Sequence, residues 1–462
     1  MHIKKSDITF TILTLANIGY FFFSSMSGYK PLTLYLKASL GIILALAIIV
    51  DFFASKTSGT TLPKLSFRHT LSFRRTCVFL HPDLSGRESN FYLLFIILTA
   101  ASLTYSADKI YGVFKLSNLL LNIIFITFAN IYYINRLNSR NEKTLFWIAA
   151  GTAIISLAIA IVISPFNYDS SQVISLTRWS HVQYSRFLAL AYFIVLYVYM
   201  SGRDTSLATK VSSEPLCHSG ESRNPIKSEK DISLATNVSS EPLCHSGESR
   251  NPIRNPITIP ILIILLFGLY YSGLRSSLIG IILATGFIFL YSLIKIKSIK
   301  TKAVTFVLTL IPIVLIIAQP LDEEKTTIRY DNLLQYEEMK FNYDSPIQTR
   351  LYVYKESVEL IKLTFPIGTG FGGYKPQSES TNWNNYPHNI FLEALIELGL
   401  PGILLLLIVL ILIFKTAYKT SPVFVAVFIY ALTLAFFSKD IPNQSFILLC
   451  IALAYKTHKT NY

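Results

Sequence analysis

Long runs of apolar residues, separated by shorter polar segments, recur along the whole chain. A helix of about 20 apolar residues can cross the hydrocarbon core of a bilayer, and many of these runs reach or approach that length. No small-residue cleavage site follows the first run, so we expect it to be retained as a helix. The pattern predicts an all-α polytopic membrane protein with about twelve transmembrane helices, at 8–24, 33–54, 91–106, 117–133, 145–165, 185–201, 257–272, 276–294, 303–319, 399–414, 422–437 and 443–455.

The composition excludes a soluble globular protein. Of the 462 residues, 52% are hydrophobic and only 15% are charged, and the mean hydropathy is +0.47. The formal net charge of +14 follows from topology, because most Lys and Arg residues fall in segments that are cytosolic if the N-terminus lies inside. We therefore expect both termini in the cytosol. No nucleic-acid partner is needed to explain the charge.

A near-identical repeat interrupts the chain between the sixth and seventh predicted helices. Residues 206–226 recur at 233–253 with a single change. This identity indicates a recent duplication rather than a structural repeat, and the Cys-His pair in each copy lacks the spacing of a zinc site. We predict four parts: an N-terminal six-helix membrane region (1–201), a cytosolic duplicated low-complexity insertion (202–256), a C-terminal membrane region (257–455) and a cytosolic tail (456–462).

Residues 320–398 form the one extramembrane segment long enough for a structured outer region, and we predict a periplasmic loop there. Within it, Leu351, Tyr354, Val358 and Ile361 repeat at helical spacing while charged residues face elsewhere, which predicts an amphipathic helix at the membrane interface. The following stretch, "FPIGTGFGGY", is typical of a turn. A flexible lip beside a bound substrate remains the alternative for this stretch.

The candidate chemistry lies at the outer face. Asn389 is placed to cap the helix that leads into the tenth span, and the positive end of that helix favours a neutral His388 imidazole, the form that accepts a proton. The predicted topology sends Arg275 and Arg350 to the same face as His388. Two guanidinium forks and a neutral base are suited to holding a lipid-anchored diphosphate while a hydroxyl is deprotonated. No metal-binding motif accompanies these residues, and we expect no cofactor.

These stretches resemble the O-antigen ligase family, whose bacterial inner-membrane enzymes share an O-antigen ligase/polymerase domain. The resemblance is carried by "SGLRSS" at 272–277, by Arg350 with "PIGTGFGGY" after it, and by "HNIFLEALIELGLPG" at 388–402. By motif it covers about 257–440. It implies transfer of a glycan from undecaprenyl diphosphate to lipid A-core at the outer face of the bacterial inner membrane, without a metal.

The resemblance also implies residue roles. Arg275 and Arg350 would hold the diphosphate, and His388 would be the base that acts on the acceptor hydroxyl. Asp440 fits the family's acidic residue after the eleventh span. Glu397 and Gly399, which lie in the last motif, are expected to fix the helix and its packing rather than to touch substrate.

Three further residues flank the outer start of the sixth span: Arg178, His181 and Arg186. They are candidates for sugar or phosphate contact, and the alternative is that they only mark the membrane interface. Other functions also stay open. A polymerase or a protein glycosyltransferase of the same superfamily would share the donor site, and a secondary transporter is the alternative from another class, which nearly charge-free spans disfavour.

Overall fold

The structure is a computed structural model that describes residues 5–24, 31–57, 88–136, 139–163, 181–211, 257–272, 274–317, 346–374, 386–437 and 440–459. Within these ranges the chain is 90% helical and contains no strand. The predicted all-α class is therefore confirmed for the described residues.

Fourteen α-helices follow one another along the described ranges. They are α1 Lys5–Ser24, α2 Pro31–Thr57, α3 Glu88–Ser102, α4 Lys109–Asn122, α5 Ala129–Arg136, α6 Ser139–Ile163, α7 His181–Val211, α8 Thr258–Tyr271, α9 Arg275–Lys295, α10 Ile299–Ile317, α11 Pro346–Thr364, α12 Ile390–Thr420, α13 Pro422–Phe437 and α14 Ser445–Lys459. A π-helical turn, Ile123–Phe128, joins α4 to α5. Short 3₁₀ turns occur at Leu103–Tyr105 and Ile441–Asn443.

Helices overlap all of the predicted spans, but the number of spans is a separate question. By length and composition, six described helical segments are able to cross a membrane: Lys109–Ile134, Thr144–Val162, Val182–Met200, Arg275–Lys295, Ile299–Ile317 and Ile390–Thr420. Several other helices are apolar but shorter. A helical membrane protein is thus supported, while the count of twelve spans and the periplasmic side of the loop stay predictions.

One hydrophobic core joins the two predicted membrane regions. It includes Leu13 and Leu188 from the N-terminal region and Leu262 and Ile413 from the C-terminal region, each with 0% of its surface exposed. Helix α9 packs along α13 and α10, while α7 packs against α6 and α8. Many large apolar side chains on the outer surface of the bundle are exposed, which is the arrangement expected where lipid rather than water is the neighbour.

Helix α12 differs from the predicted tenth span. It begins at Ile390 and runs to Thr420, and its backbone breaks at Gly399, where φ is 64° and ψ is −158°. Pro401 lies two residues after Gly399, and the helix resumes beyond this kink. The predicted span at 399–414 therefore corresponds to the part after the kink, and a separate helical piece precedes it.

Helix α11 confirms the predicted helix in this segment, and the structure shows which of its sides packs against the protein. Val353 and Ser357 are buried, whereas Val358, which the periodicity assigned to the apolar face, is 46% exposed. The reason is local packing: Val353 lies in a small core with Tyr374 and Ile396, so the protein covers the Val353 side of the helix. The Val358 side is left outside the protein.

Several predicted segments lie partly or wholly outside the described residues. Helix α7 extends to Val211, into the predicted insertion, and residues 212–256 lie outside, with most of the duplicated segment. The same is true of 318–345 and 375–385 in the predicted periplasmic loop, and of 460–462 in the predicted tail.

Candidate functional site

Buried hydrogen bonds gather several helix ends at one end of the bundle. Near the start of α9, the Ser277 hydroxyl lies 3.0 Å from the Ser185 hydroxyl near the start of α7. It lies equally close, at 3.0 Å, to the hydroxyl of Tyr430 on α13. The backbone N–H of Ile441, just after α13, donates to Glu393 in the first turn of α12 at 2.9 Å. The starts of α7, α9 and α12 and the end of α13 therefore share one end, which we call the polar end.

His388 occupies a constrained position at the polar end. Its φ is 57°, in the left-handed region that residues other than glycine rarely adopt. Its imidazole is half-buried and lies against the Tyr386 ring, with 4.6 Å between ring centroids and 60° between planes. The predicted cap is confirmed, because the Asn389 side chain accepts hydrogen bonds from the backbone N–H groups of Phe391 at 2.9 Å and Leu392 at 3.2 Å.

The two predicted diphosphate-binding arginines lie near the starts of two different helices, α9 and α11. Arg275 is the first residue of α9 and is exposed, two residues before the buried Ser277. Arg350 lies in the first turns of α11, and its side chain lies outside the described residues. The convergence of Arg275, Arg350 and His388 in one pocket stays a prediction.

Arg186 is an interior residue. Only 2% of its surface is exposed, and its Nη1 donates to the backbone carbonyl of Asn443 at 3.0 Å. Its guanidinium also interacts electrostatically with Tyr386 and Tyr430. The helices therefore enclose Arg186, and a contact of its guanidinium with sugar or phosphate stays a prediction. The side chain of His181 and all of Arg178 lie outside the described residues.

Asp440 is buried in the short connection between α13 and α14. Its Oδ1 accepts a hydrogen bond from the Asn443 side chain at 2.6 Å, while its Oδ2 has no hydrogen-bond partner among the described residues. Burial raises the pKa of the Asp440 carboxyl to about 7, although the Asn443 amide acts in the opposite direction. An acid that titrates near neutral pH beside the starts of α7 and α12 can exchange a proton there.

A buried ion cluster involves the first two turns of α12, the helix that begins two residues after His388. Lys115 Nζ lies 2.5 Å from Glu393 Oε1 and 2.7 Å from Glu397 Oε1, and none of the three side chains is exposed. Lys115 also donates to the other Glu397 oxygen at 2.7 Å. A packing role was predicted for Glu397, whereas Lys115 and Glu393 were not among the predicted site residues.

A second set of buried polar side chains continues from this cluster. Lys37 Nζ donates to the side-chain oxygens of Asn118 at 2.9 Å and Asn443 at 3.1 Å. The Asn122 side chain donates to the carbonyl of Pro442 at 2.7 Å. The sequence signal for this network was present, because Lys115, Asn118 and Asn122 are three and four residues apart and share one face of α4.

The glycine-rich stretch after α11 is a packed turn. The backbone N–H groups of Thr369 and Gly370 donate to the carbonyls of Ile396 at 2.8 Å and Glu397 at 2.9 Å, next to the kink in α12. Gly370 has φ of 82°, and an added Cβ would lie 2.4 Å from the Ser106 backbone. The predicted turn is confirmed, and these contacts hold it against the start of α4 rather than leaving it as a flexible lip.

These features define the class of the protein: a multi-pass membrane protein, helical throughout the part of the chain that the structure describes, with a buried polar centre at one end of its bundle. Residues 260–407 match the sequence profile of the family described as O-antigen ligase. The resemblance to that family is thereby confirmed over this segment, and the match indicates a glycosyltransferase-like enzyme. No curated protein matches the chain. The matched segment contains Arg275, Arg350 and His388, whereas Lys115, Arg186 and Asp440 lie outside it.

Proposed function

We propose that the protein is an O-antigen ligase, a membrane glycosyltransferase. It would move the O-antigen glycan from undecaprenyl diphosphate to lipid A-core at the periplasmic face of the bacterial inner membrane. The observation that carries the proposal is the family match over residues 260–407, which spans Arg275, Arg350 and His388. The hydrogen bonds that bring the starts of α9 and α12 to the polar end support it, because Arg275 and His388 stand at those two starts.

The reaction is a single displacement at the anomeric carbon of the donor glycan. The acceptor hydroxyl oxygen forms the new bond to that carbon, and the bond between the carbon and the diphosphate oxygen breaks. His388 takes the hydroxyl proton, and the electron pair of the broken bond leaves with the undecaprenyl diphosphate. Attack from the side opposite the leaving group inverts the anomeric configuration.

The two arginines bind and stabilise the leaving group. The guanidinium forks of Arg275 and Arg350 bond to phosphate oxygens and neutralise the charge that develops on the diphosphate, so the reaction requires no metal. The exposure of Arg275 leaves its side chain open to a lipid headgroup. Arg186, Asp440 and Arg178 are auxiliary candidates for contacts to sugar or phosphate.

Two alternatives remain. A polymerase or protein glycosyltransferase of the same superfamily would use the same donor site with another acceptor. The structure weakens the sequence argument against a secondary transporter, which was that the spans are nearly free of charge. Lys37 and Arg186 are basic residues buried within α2 and α7. The family match nevertheless favours transfer chemistry over transport.

The test uses a strain that lacks this protein and expresses variants of it. We expect His388→Ala to lower the joining of long glycan to lipid A-core by about 10²–10⁴-fold, the usual contribution of a general base. Arg275→Ala and Arg350→Ala should also lower joining, and lipid-linked glycan should accumulate in all three. Lys362→Ala is the control, because this exposed lysine on α11 pairs only with its neighbour Glu359 among the described contacts.

The outcomes separate the alternatives. Joining at the wild-type level in all three variants would refute the ligase assignment. A change in glycan length with unchanged joining would instead identify a polymerase. Movement of lipid-linked glycan across the bilayer of reconstituted vesicles, without any joining, would identify a transporter.

A further inference from the structure

We propose that Lys115 is a positioning residue for His388 and that it acts through Glu393 and Glu397. Lys115 lies on α4, outside the segment 260–407 that matches the family. The inference rests on the proposed function, because it assigns a role in setting the geometry of the base of that reaction. It gives the N-terminal membrane region a part in the site.

The cluster ties α4 to the first two turns of α12. Glu393 and Glu397 are four residues apart, so their side chains lie on the same face of the helix. Lys115 Nζ contacts both carboxylates, at 2.5 Å and 2.7 Å, with no exposed surface on any of the three side chains. Because the cluster is fully buried, solvent screens these contacts far less than it would at a surface.

The cluster is connected to His388 through a short stretch of backbone. Glu393 lies in the first turn of α12, directly after the Asn389 cap that follows His388. The other oxygen of Glu393, Oε2, accepts a hydrogen bond from the Ile441 N–H at 2.9 Å. The start of α12 is therefore held from two sides, by α4 and by the turn after α13.

The backbone of His388 needs such support. A residue other than glycine with φ of 57° is in a sparsely populated conformation, which costs about 1–3 kcal/mol and persists only where the surrounding structure enforces it. The half-buried imidazole makes a ring contact with Tyr386, but nothing in that contact fixes the helix start. Fixing the helix start is the role we assign to the Lys115 cluster.

Lys115 also contacts the turn that follows α11. Its Nζ lies 4.8 Å from the centre of the Phe371 ring, a cation–π arrangement. Phe371 is fully buried, and its backbone is bonded to Ser102 and Ser106. One ammonium group thus contacts both the segment that leads from α11, which carries Arg350, and the helix that follows His388.

The charges of the cluster dictate the choice of variant. One lysine faces two glutamates, so Lys115→Met alone would leave two like charges buried side by side, which disrupts folding. The double variant Lys115→Met with Glu397→Gln removes one positive and one negative charge together. It keeps the bond from Ile441 to Glu393 and the net charge of the cluster. The exposed pair Lys362→Met with Glu359→Gln is the matched control.

The experiment compares turnover in reconstituted full-length protein, with lipid-linked glycan and lipid A-core isolated from the host strain as substrates. We expect the double variant to lower kcat roughly 10- to 100-fold, since a misplacement of about 1 Å has an effect of that size. KM for the donor should stay within about threefold of the wild-type value. The control pair should leave both constants unchanged. Wild-type kcat in the double variant would overturn the proposal.

Two further readouts exclude a merely structural role. In the His388→Ala background the double variant should cause no further loss of residual activity, because Lys115 acts through the missing base. The rate at which diethyl pyrocarbonate modifies His388, read by peptide mass spectrometry, should change several-fold in the double variant. An additive loss or an unchanged modification rate would overturn the proposal. If the wild-type protein joins no glycan, the proposed function fails, while the modification rate still tests the link between Lys115 and His388.

Discussion

The two ends of the helix bundle are built differently. The polar end encloses ionisable side chains, among them Arg186, Glu393 and Asp440, and its backbone segments approach each other closely. Toward the opposite end, near Thr420 and Ser421 at the end of α12, lies a cavity of about 310 Å³ with a mostly apolar lining. Buried ionisable groups are costly in a membrane protein and are typically functional, so the contrast supports the proposal that the chemistry takes place at the polar end.

The largest effect is expected from a change that breaks the tight backbone of the polar end. In Gly399→Ala, the new Cβ would lie 2.1 Å from the Pro366 carbonyl oxygen, and φ would remain at 64°. We expect a loss of about 3 kcal/mol or more in stability, together with loss of glycan joining. The measurement is the thermal unfolding of purified protein in detergent, alongside the strain assay.

Gly151→Ala is the matched control, because a Cβ at Gly151 in α6 would meet nothing within 4 Å. Alanine favours the helix over glycine, so this control should change stability by no more than about 1 kcal/mol, in the stabilising direction. Equal thermal shifts in the two alanine variants would show that the polar end is not more tightly constrained than α6.

A smaller and pH-dependent effect is expected at Asp440. Since burial raises its pKa to about 7, the folded protein binds this proton more tightly than the unfolded chain does. The stability that the neutral acid contributes is present at low pH and is lost as the pH rises toward about 7. Asp440→Asn stays neutral and its amide oxygen still accepts from Asn443, so this loss should disappear.

The measurement for Asp440 is the difference in melting temperature between pH 5 and pH 8. We expect Asp440→Asn to gain stability at pH 8 relative to pH 5 when it is compared with the wild type. An identical pH dependence in the two proteins would show that Asp440 is ionised throughout this range, and that the polar end tolerates its buried charge.

The smallest effect is expected at the cavity. Leu190 on α7 lines it, so Leu190→Phe should be accommodated, with a change in stability of less than about 1 kcal/mol and normal glycan joining. Leu188 on the same helix is fully buried and lies close against Gly268. Leu188→Phe should therefore destabilise by about 1–3 kcal/mol through overpacking. Similar melting temperatures for the two variants would show that the side chains around Leu188 are packed no more tightly than those around the cavity.

Much of the fold and part of the site could be predicted from local patterns. Apolar run length located the helices, although the tenth span was assigned only the part of α12 after its kink. The Asn389 cap and the turn at "FPIGTGFGGY" follow from residue types at adjacent positions, and both are present in the structure. The "HNIFLEALIELGLPG" motif led to a family resemblance that the match over residues 260–407 confirms for that segment.

Other features could not be predicted, because they depend on contacts between distant parts of the chain. Hydropathy treats Arg186 and Lys37 as polar residues near helix ends, and it cannot show that neighbouring helices enclose them. Helical periodicity assigned Val358 to an apolar face at the membrane interface, but it could not show that Val353 is the residue of α11 that packs into a small core with Tyr374 and Ile396.

The sequence by itself determined that this chain forms apolar helices, where most of them lie, and that His388 precedes a capped helix, because these properties depend on neighbouring residues and on helical geometry. The tertiary structure decided that Lys115 pairs with Glu397, 282 positions away, and that Asp440 is buried. Desolvation and ion pairing depend on which helices meet, and that is a property of the packed bundle rather than of any local stretch.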